Sequence, residues 1–210
     1  GWWLTDDNKM SKSVGNVIKP LDVADEFGVD SLRYYLMRNM VVGQDASFTR
    51  ETFIKRYNSD LANDYGNLVN RVLVLIDKYF NGRIPESSEF DNNDLDLIAK
   101  AKELPIQIIE NYNNFKLHDG IELNIKLFRL INKYLEIKSP WKTIKTNKNN
   151  TATTLYVAIE ILRIGTILIN PIMPNKSSQI LESIGAEKNQ NYTFGNLKAN
   201  TPIKISKNIF

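Results

Sequence analysis

Apolar residues return at three- and four-residue steps through most of this chain, and the steps stop at a few glycine, proline and Asx positions. Phe53, Tyr57, Leu61, Tyr65, Leu68, Val72, Leu75, Ile76 and Tyr79 run in this way up to Gly82, which predicts one long amphipathic helix. Thr49 is its N-cap, with Thr52 in place of the usual acidic partner and Glu51 adding negative charge to the first turn. Gly66 reads as a close packing contact or a slight bend. After a loop at Arg83–Ser88, Asp91 or Asn93 opens a second helix to about Phe115. Its inward residues are Leu95, Ile98, Leu104, Ile108, Ile109 and Tyr112, and Pro105 kinks or interrupts it. A third helix, Asp119 to about Lys138, turns Ile121, Ile125, Phe128, Leu130, Ile131 and Leu135 inward. Ser139-Pro140 then requires an extended residue before the proline and starts a new turn at Trp141. Thr151 to Asn170 is a strongly apolar helix stopped by Pro171, Pro174 begins a shorter one to Ile184-Gly185, and from Tyr192 the pattern turns irregular and strand-like.

The first 48 residues are built differently. A short apolar run, Gly1–Leu4, leads through a polar turn to Lys9-Met10-Ser11-Lys12-Ser13. Pro20 has the look of a first helical residue, Asp22–Phe27 makes a short helix ended at Gly28, and Asp30 caps a second in which Leu32, Tyr35, Leu36 and Met40 share a stripe. Arg33 and Arg38 lie off that stripe, either as contacts to an RNA backbone or as ordinary solvated arginines. Gly43–Phe48 is a linker. The fold class is mainly α: a helical bundle over residues 49–210, preceded by a short α/β segment over residues 1–48.

Composition narrows the picture modestly. With 210 residues and 42% hydrophobic content the chain can bury a real core. The 27 Lys+Arg against 24 Asp+Glu give a net +3, which permits an RNA partner without demanding one. There is no cysteine, which excludes disulfides and Cys-ligated zinc and fits a reducing, cytoplasmic setting. The longest apolar run, Ile159–Ile169, is broken by Glu160 and Arg163 and falls short of the roughly 20 residues of a membrane span. The single histidine, His118, sits at a helix boundary, where a structural role outweighs a chemical one.

Two stretches carry chemistry. Lys9–Ser13 is a donor-rich loop whose lysines suit a triphosphate or pyrophosphate as point charges, though two lysines spaced by three also describe a solvated basic turn. Asn63, Asn67 and Arg71 fall in one row beside the apolar stripe of the long helix. Their paired donors and acceptors suit base edges, which RNA exposes where its bases are unstacked, while a plain solvated face has the same composition. Trp141, followed by the basic run Lys142–Asn150, is either a core anchor at a helix junction or a platform on which a base stacks.

Lys9–Ser13, continued by Val14-Gly15-Asn16-Val17-Ile18-Lys19-Pro20, Asp22-Val23-Ala24 and Asp30-Ser31-Leu32-Arg33-Tyr34-Tyr35, resembles the signature loop and stem-contact segment of class I aminoacyl-tRNA synthetases. The resemblance implies that Lys9, Met10, Ser11, Lys12 and Ser13 close over ATP, with magnesium as its ion. The lysines would stabilise charge as an amino-acid carboxylate attacks the α-phosphate, Lys12 being the better candidate for the contact and Lys9 the second. The stretch from Arg56 to Arg71 is similar to the opening anticodon-domain helix of methionyl-tRNA synthetases, where the valyl, isoleucyl and leucyl enzymes carry a tryptophan instead. On the matching positions Asn67 and Arg71 are the family's anticodon readers. Tyr134-Leu135-Glu136-Ile137-Lys138-Ser139-Pro140-Trp141 resembles the segment that supplies the stacking aromatic, which puts Trp141 in the site.

What the resemblance implies is part of a methionine–tRNA ligase that recognises the CAU anticodon of tRNA(Met). One histidine cannot supply the family's His-x-Gly-His phosphate motif, so the catalytic half is expected elsewhere in a longer parent. Both ends of the sequence look cut, and the piece alone is expected to be monomeric and inactive. The alternatives are a non-catalytic RNA-binding helical module, a sibling synthetase for another hydrophobic amino acid, or a helical scaffold in which Arg71 and Trp141 are buried.

Overall fold

The computed structural model describes residues 2–5, 8–9, 19–186, 191–205 and 209–210. The fold is the expected one, a helical bundle behind a small α/β segment. Strands β1 (Trp3–Thr5), β2 (Asn8–Lys9) and β3 (Ala46–Ser47) form a sheet in the order β2-β1-β3, with β1 antiparallel to β2 and parallel to β3. Helices α1 (Pro20–Phe27) and α2 (Val29–Asn39) lie between β2 and β3 in sequence. A compact cluster of Val23, Leu32, Tyr35, Phe48 and Phe53 joins them to the start of the next helix, with the Tyr35 and Phe48 rings edge-on at 4.8 Å.

The bundle comprises α3 (Arg50–Arg56), a π-helical segment (Tyr57–Gly66), α4 (Asn67–Phe80), α5 (Asn92–Asn113), α6 (Leu117–Lys138), the short α7 (Pro140–Thr143), α8 (Lys148–Ile169) and α9 (Pro174–Ser183). Helix α8 is its axis: every residue from Thr151 to Ile169 except Ile167 is buried, against α4, α5, α6, α7 and α9. Its length and hydropathy would suit a membrane span, but 94% of the apolar window is buried inside the protein, as in a core helix. The close approach of α6 and α8 needs Gly165, because a Cβ there would lie 2.5 Å from the Phe128 ring. Asn124 of α6 donates to the Gly165 carbonyl across the same contact.

Glu160 and Arg163, the two charges that interrupt the apolar run, are fully buried and paired at 2.7 Å. Glu160 also accepts from the backbone N–H groups of Gly195, Asn196 and Leu197, while Arg163 donates to the carbonyls of Asn191 and Thr193. Every hydrogen-bonding edge of the pair is used, which offsets the desolvation that an unpaired buried charge would suffer. The segment after Tyr192 is therefore a loop pinned by charge; its only bridge among the described residues is Arg83 with Pro202.

Several local expectations change. Both caps hold: Thr49 and Thr52, and likewise Asp91 and Asp94, form reciprocal capping boxes. Helix α5 runs through Pro105 without interruption. Leu95 is 51% exposed and Leu97 takes the inward position. Ser139 is left-handed (φ 44°, ψ 58°) rather than extended, so the reversal into α7 is sharper than the Ser-Pro pair predicts. Asp30 lies inside α2 and caps another helix: its carboxylate accepts from the Lys176 N–H at 2.7 Å and from Asn175 at 3.3 Å, in the first turn of α9.

Candidate nucleic-acid interface

The predicted long helix is divided. Between α3 and α4 the ten residues Tyr57–Gly66 are wound as a π-helix, with N–H groups bonding five residues back. The apolar pattern supplies a reason. The steps Phe53, Tyr57, Leu61, Tyr65 are all four residues, and each overruns the 3.6-residue α-turn by about 0.4 residue. A widened turn absorbs that overrun and keeps Leu61 and Tyr65 facing the core, where Tyr65 stacks on Phe128 at 4.0 Å and donates to Thr166. Gly66 closes the segment where Phe210 packs: a Cβ there would stand 3.2 Å from that ring and 3.1 Å from the Leu61 carbonyl.

The π-segment also buries Asp60 completely. Its carboxylate accepts from the Tyr34 hydroxyl at 2.7 Å, Ser59 at 2.7 Å, Arg56 at 3.3 Å and Arg129 at 3.4 Å, with the Arg38 guanidinium at 3.8 Å. Burial, reinforced by the Asp60 charge, drives the Tyr34 phenol well above its ordinary range, so it stays a donor. Arg38 is itself buried, pairs with Glu122, meets the His118 ring at 3.0 Å, and has its affinity for a proton lowered by desolvation. Arg33 donates to the carbonyls of Pro171 and Ile172 at 2.9 Å each. Both arginines left open as RNA contacts are thus committed inside the fold, and His118 serves one of them.

Beyond Gly66 the helix regains α geometry and presents the polar row. Asn67 is exposed and reaches back to Asn63 at 3.4 Å. Arg71, with 30% of its side chain exposed, is held by α6: it pairs with Glu136 at 2.5 Å and donates to the Asn132 amide oxygen. Asn132 in turn donates to the Asp64 carbonyl at 2.9 Å, which fixes the amide between the π-segment and the guanidinium. Glu136 lies in the last turn of α6, where its carbonyl accepts from Ser139 at 2.8 Å. Through that left-handed serine the chain enters α7, with Pro140 buried and Trp141 half-buried against the bundle.

The structure therefore carries Arg71 to the end of α6, with Trp141 five residues beyond Glu136 and Asn67 one turn before Arg71. The scaffold alternative, which needs Arg71 and Trp141 buried, is not met. Lys9 belongs to the other segment, in β2; Met10, Ser11, Lys12 and Ser13 lie outside the described residues. Among the described residues no cluster of three or more acidic, histidine or cysteine side chains is placed to hold a metal ion. Asn132 and Glu136 went unnoticed in the sequence. Their signal is a polar i, i+4 pair lying beside the apolar stripe of α6, visible only once α4 is known to be the neighbour.

Residues 84–208 match the family described as the anticodon binding domain of methionyl tRNA ligase, and residues 1–73 match tRNA synthetases class I (M). The chain belongs to the methionyl-tRNA synthetase family. It is 38% identical over 216 aligned positions to the methionine–tRNA ligase of Caldanaerobacter subterraneus subsp. tengcongensis, covering 100% of this chain and 34% of that protein. It is also 38% identical over 186 positions to that of Mycobacterium tuberculosis, covering 87% of this chain and 36% of that protein. Among solved structures, the M. tuberculosis methionyl-tRNA synthetase in complex with methionyl-adenylate superposes over 100% of this chain and 43% of its own, with TM-score 0.94 and 34% identity. The free form of the same synthetase matches with TM-score 0.87 and 32% identity over 92% of this chain and 40% of its own. The chain spans about a third of the length of these curated relatives. The first match takes in the π-segment and Arg71 and ends within α4, while Asn132 and Glu136, which hold Arg71, belong to the second.

Proposed function

We propose that this chain is the part of a methionine–tRNA ligase that reads the anticodon of tRNA(Met), CAU, and carries the lysine loop of the ATP site. In this reading residues 1–48 are the loop and stem-contact segment, and residues 49–210 are the anticodon-binding bundle. Asn67 and Arg71 read base edges, and Trp141 stacks on an unstacked base. The observation that carries the reading is the Arg71 guanidinium, held in a fixed plane by Asn132 and Glu136 yet open on its outer side, at the helix end that leads to a half-exposed tryptophan. A guanidinium fixed in this way has lost its rotamer freedom before the base arrives, which favours discrimination over mere attraction.

Lys12 and Lys9 offer cations to the phosphates of ATP during adenylate formation, with magnesium as the accompanying ion, in a parent that works in the cytoplasm. The amino-acid pocket belongs to the remaining length of that parent, so these 210 residues alone should catalyse no methionine-dependent pyrophosphate exchange. The test is a fluorescence titration with a CAU stem-loop and with the same stem-loop changed at one anticodon base, for wild type and Trp141→Ala. A CAU preference, with binding weakened by about 1–3 kcal/mol in the variant, supports the site. Equal binding of both RNAs, unaffected by the substitution, refutes it.

A further inference from the structure

The last turn of α6 holds more than Arg71. Its final residue, Lys138, has only 4% of its side chain exposed, and its ammonium group meets two carboxylates at the start of α5: Asp91, and Asp94 at 3.0 Å. We propose that Lys138 is a positioning residue for Trp141, fixing the corner between α6 and α7 so that the indole is oriented for an unstacked base before the RNA arrives. The inference rests on the anticodon reading above and extends it to a residue that stays inside the fold.

The joint is closed on all sides. One oxygen of Asp91 accepts the N–H groups of Asn93 and Asp94, and the other takes Lys138. One oxygen of Asp94, which is fully buried, accepts the Asp91 N–H at 2.9 Å, and the other takes Lys138 and, at 2.7 Å, the Tyr134 hydroxyl. Each carboxylate oxygen is occupied, which is the condition under which a buried ammonium can be held. The helix ends favour the same signs, with carboxylates at the N-terminus of α5 and a cation at the C-terminus of α6. Tyr134 and Lys138 lie one turn apart and face α5, while Asn132 and Glu136, also one turn apart, face Arg71. One helix end thus braces both reading residues.

The chain between Lys138 and Trp141 has no slack. Ser139 is in the left-handed region at φ 44° and ψ 58°, a conformation that is costly for a residue with a side chain and has to be held from both sides. Behind it Lys138 is anchored in the carboxylate pair, and ahead of it Pro140 is buried. The Ser139 N–H donates to the Leu135 carbonyl at 2.9 Å and its hydroxyl to the Glu136 carbonyl at 2.8 Å, while its own carbonyl accepts the Lys142 N–H at 2.8 Å. Trp141 lies inside that ring of bonds. Removing the Lys138 charge frees the near side of the corner, and an indole that wanders has to be ordered by the base itself, which weakens binding.

The test is a double-mutant cycle on the 210-residue chain. Lys138→Met and Asp91→Asn are each made with Trp141 present and with Trp141→Ala, and read by CAU stem-loop affinity and by the urea midpoint. Lys138→Met keeps the length of the side chain and drops the charge. Asp91→Asn is the milder variant, at an exposed position where asparagine still caps the helix, and it carries the test if the first fails to fold. With Trp141 present, Lys138→Met should weaken binding roughly five- to tenfold and Asp91→Asn about two- to threefold. With Trp141→Ala neither should weaken it further, although the urea midpoint falls equally in both backgrounds. In chains labelled with 5-fluorotryptophan, the fluorine line of Trp141, identified by its loss in Trp141→Phe, should broaden or move in either variant while those of Trp2 and Trp3 stay in place. Unchanged affinity, an equal loss in both tryptophan backgrounds, or an unmoved Trp141 line overturns the proposal. Binding indifferent to Trp141→Ala would defeat the anticodon reading instead, and the fluorine line would still judge whether Lys138 sets the ring.

Discussion

Phe128 in the bundle and Phe53 beside the sheet are both fully buried rings, yet they sit in cores of different kinds. Phe128 belongs to one continuous cluster built around α8, contacted from several helices, and it stacks on Tyr65 and packs on Gly165. Phe53 belongs to a cluster of five buried residues whose other members come from α1 and α2, with Phe48 just after β3. The smaller core leans on the larger through polar joints: Asp60 receives Tyr34 and faces Arg38, Asp30 caps α9, and Arg33 grips the turn before α9. Apolar burial dominates the bundle and takes in Tyr34 and Met37 of α2, and hydrogen bonds and charge add to it in setting α1 and α2 on the bundle. Such joints are directional, so they fix the angle at which α1 and α2 meet the bundle.

The largest expected effect separates the two cores. Phe128→Ala should destabilise the whole protein by about 3–5 kcal/mol, seen as a lower urea midpoint and faster amide exchange throughout the bundle. Phe53→Ala removes a similar ring, but its amide-exchange changes should concentrate in residues 19–57. Uniform loosening by both would merge the two regions into one cooperative unit.

Cutting the joint comes next. Asp60→Ala leaves the buried Tyr34 hydroxyl without its acceptor and removes the counter-charge that Arg38, Arg56 and Arg129 face, and should cost about 3–5 kcal/mol in a urea melt. A loss within a few tenths of a kcal/mol would mean that the π-segment tolerates the empty site. The buried phenols add a pH signature. Burial holds Tyr34, Tyr65, Tyr112 and Tyr134 above the ordinary tyrosine value of 10.0. Above about pH 10 the unfolded chain releases these protons and the folded chain keeps them. Stability is therefore fully present below that pH and falls above it, by up to about 1.4 kcal/mol per group per pH unit. Calorimetry from pH 9 to 11 measures the slope; a flat profile would place these hydroxyls in contact with solvent.

Smaller still is the interhelical cap. Asp30→Ala should cost about 1 kcal/mol and loosen the first turn of α9, seen as faster exchange of the Lys176 amide. Fraying confined to α2 would restore Asp30 to the role of a cap for its own helix.

Much of the bundle was legible because its pattern is long and its caps are chemical. Thr49 with Thr52, and Asp91 leading into its helix, announce their own ends, and the three- and four-residue steps show which faces turn inward. The π-segment was not read, although four-residue steps in succession were visible, because an α-helix is the default for such a stripe. Asp30, Arg33 and Arg38 were misjudged for one shared reason: their partners are 22 to 146 residues away, and local spacing cannot reveal them. Asn67, Arg71 and Trp141 are proposed through resemblance to a family, while the residues that hold Arg71, Asn132 and Glu136, follow only from the packing of α4 on α6.

The most direct test of the reading face is the ratio of dissociation constants for the CAU stem-loop and its single-base variant, measured for wild type and Arg71→Gln at one salt concentration. A guanidinium that reads a base edge contributes about 1–3 kcal/mol of discrimination. The account predicts a clear CAU preference in wild type that collapses in Arg71→Gln while residual binding persists. Full preference retained in Arg71→Gln would contradict it.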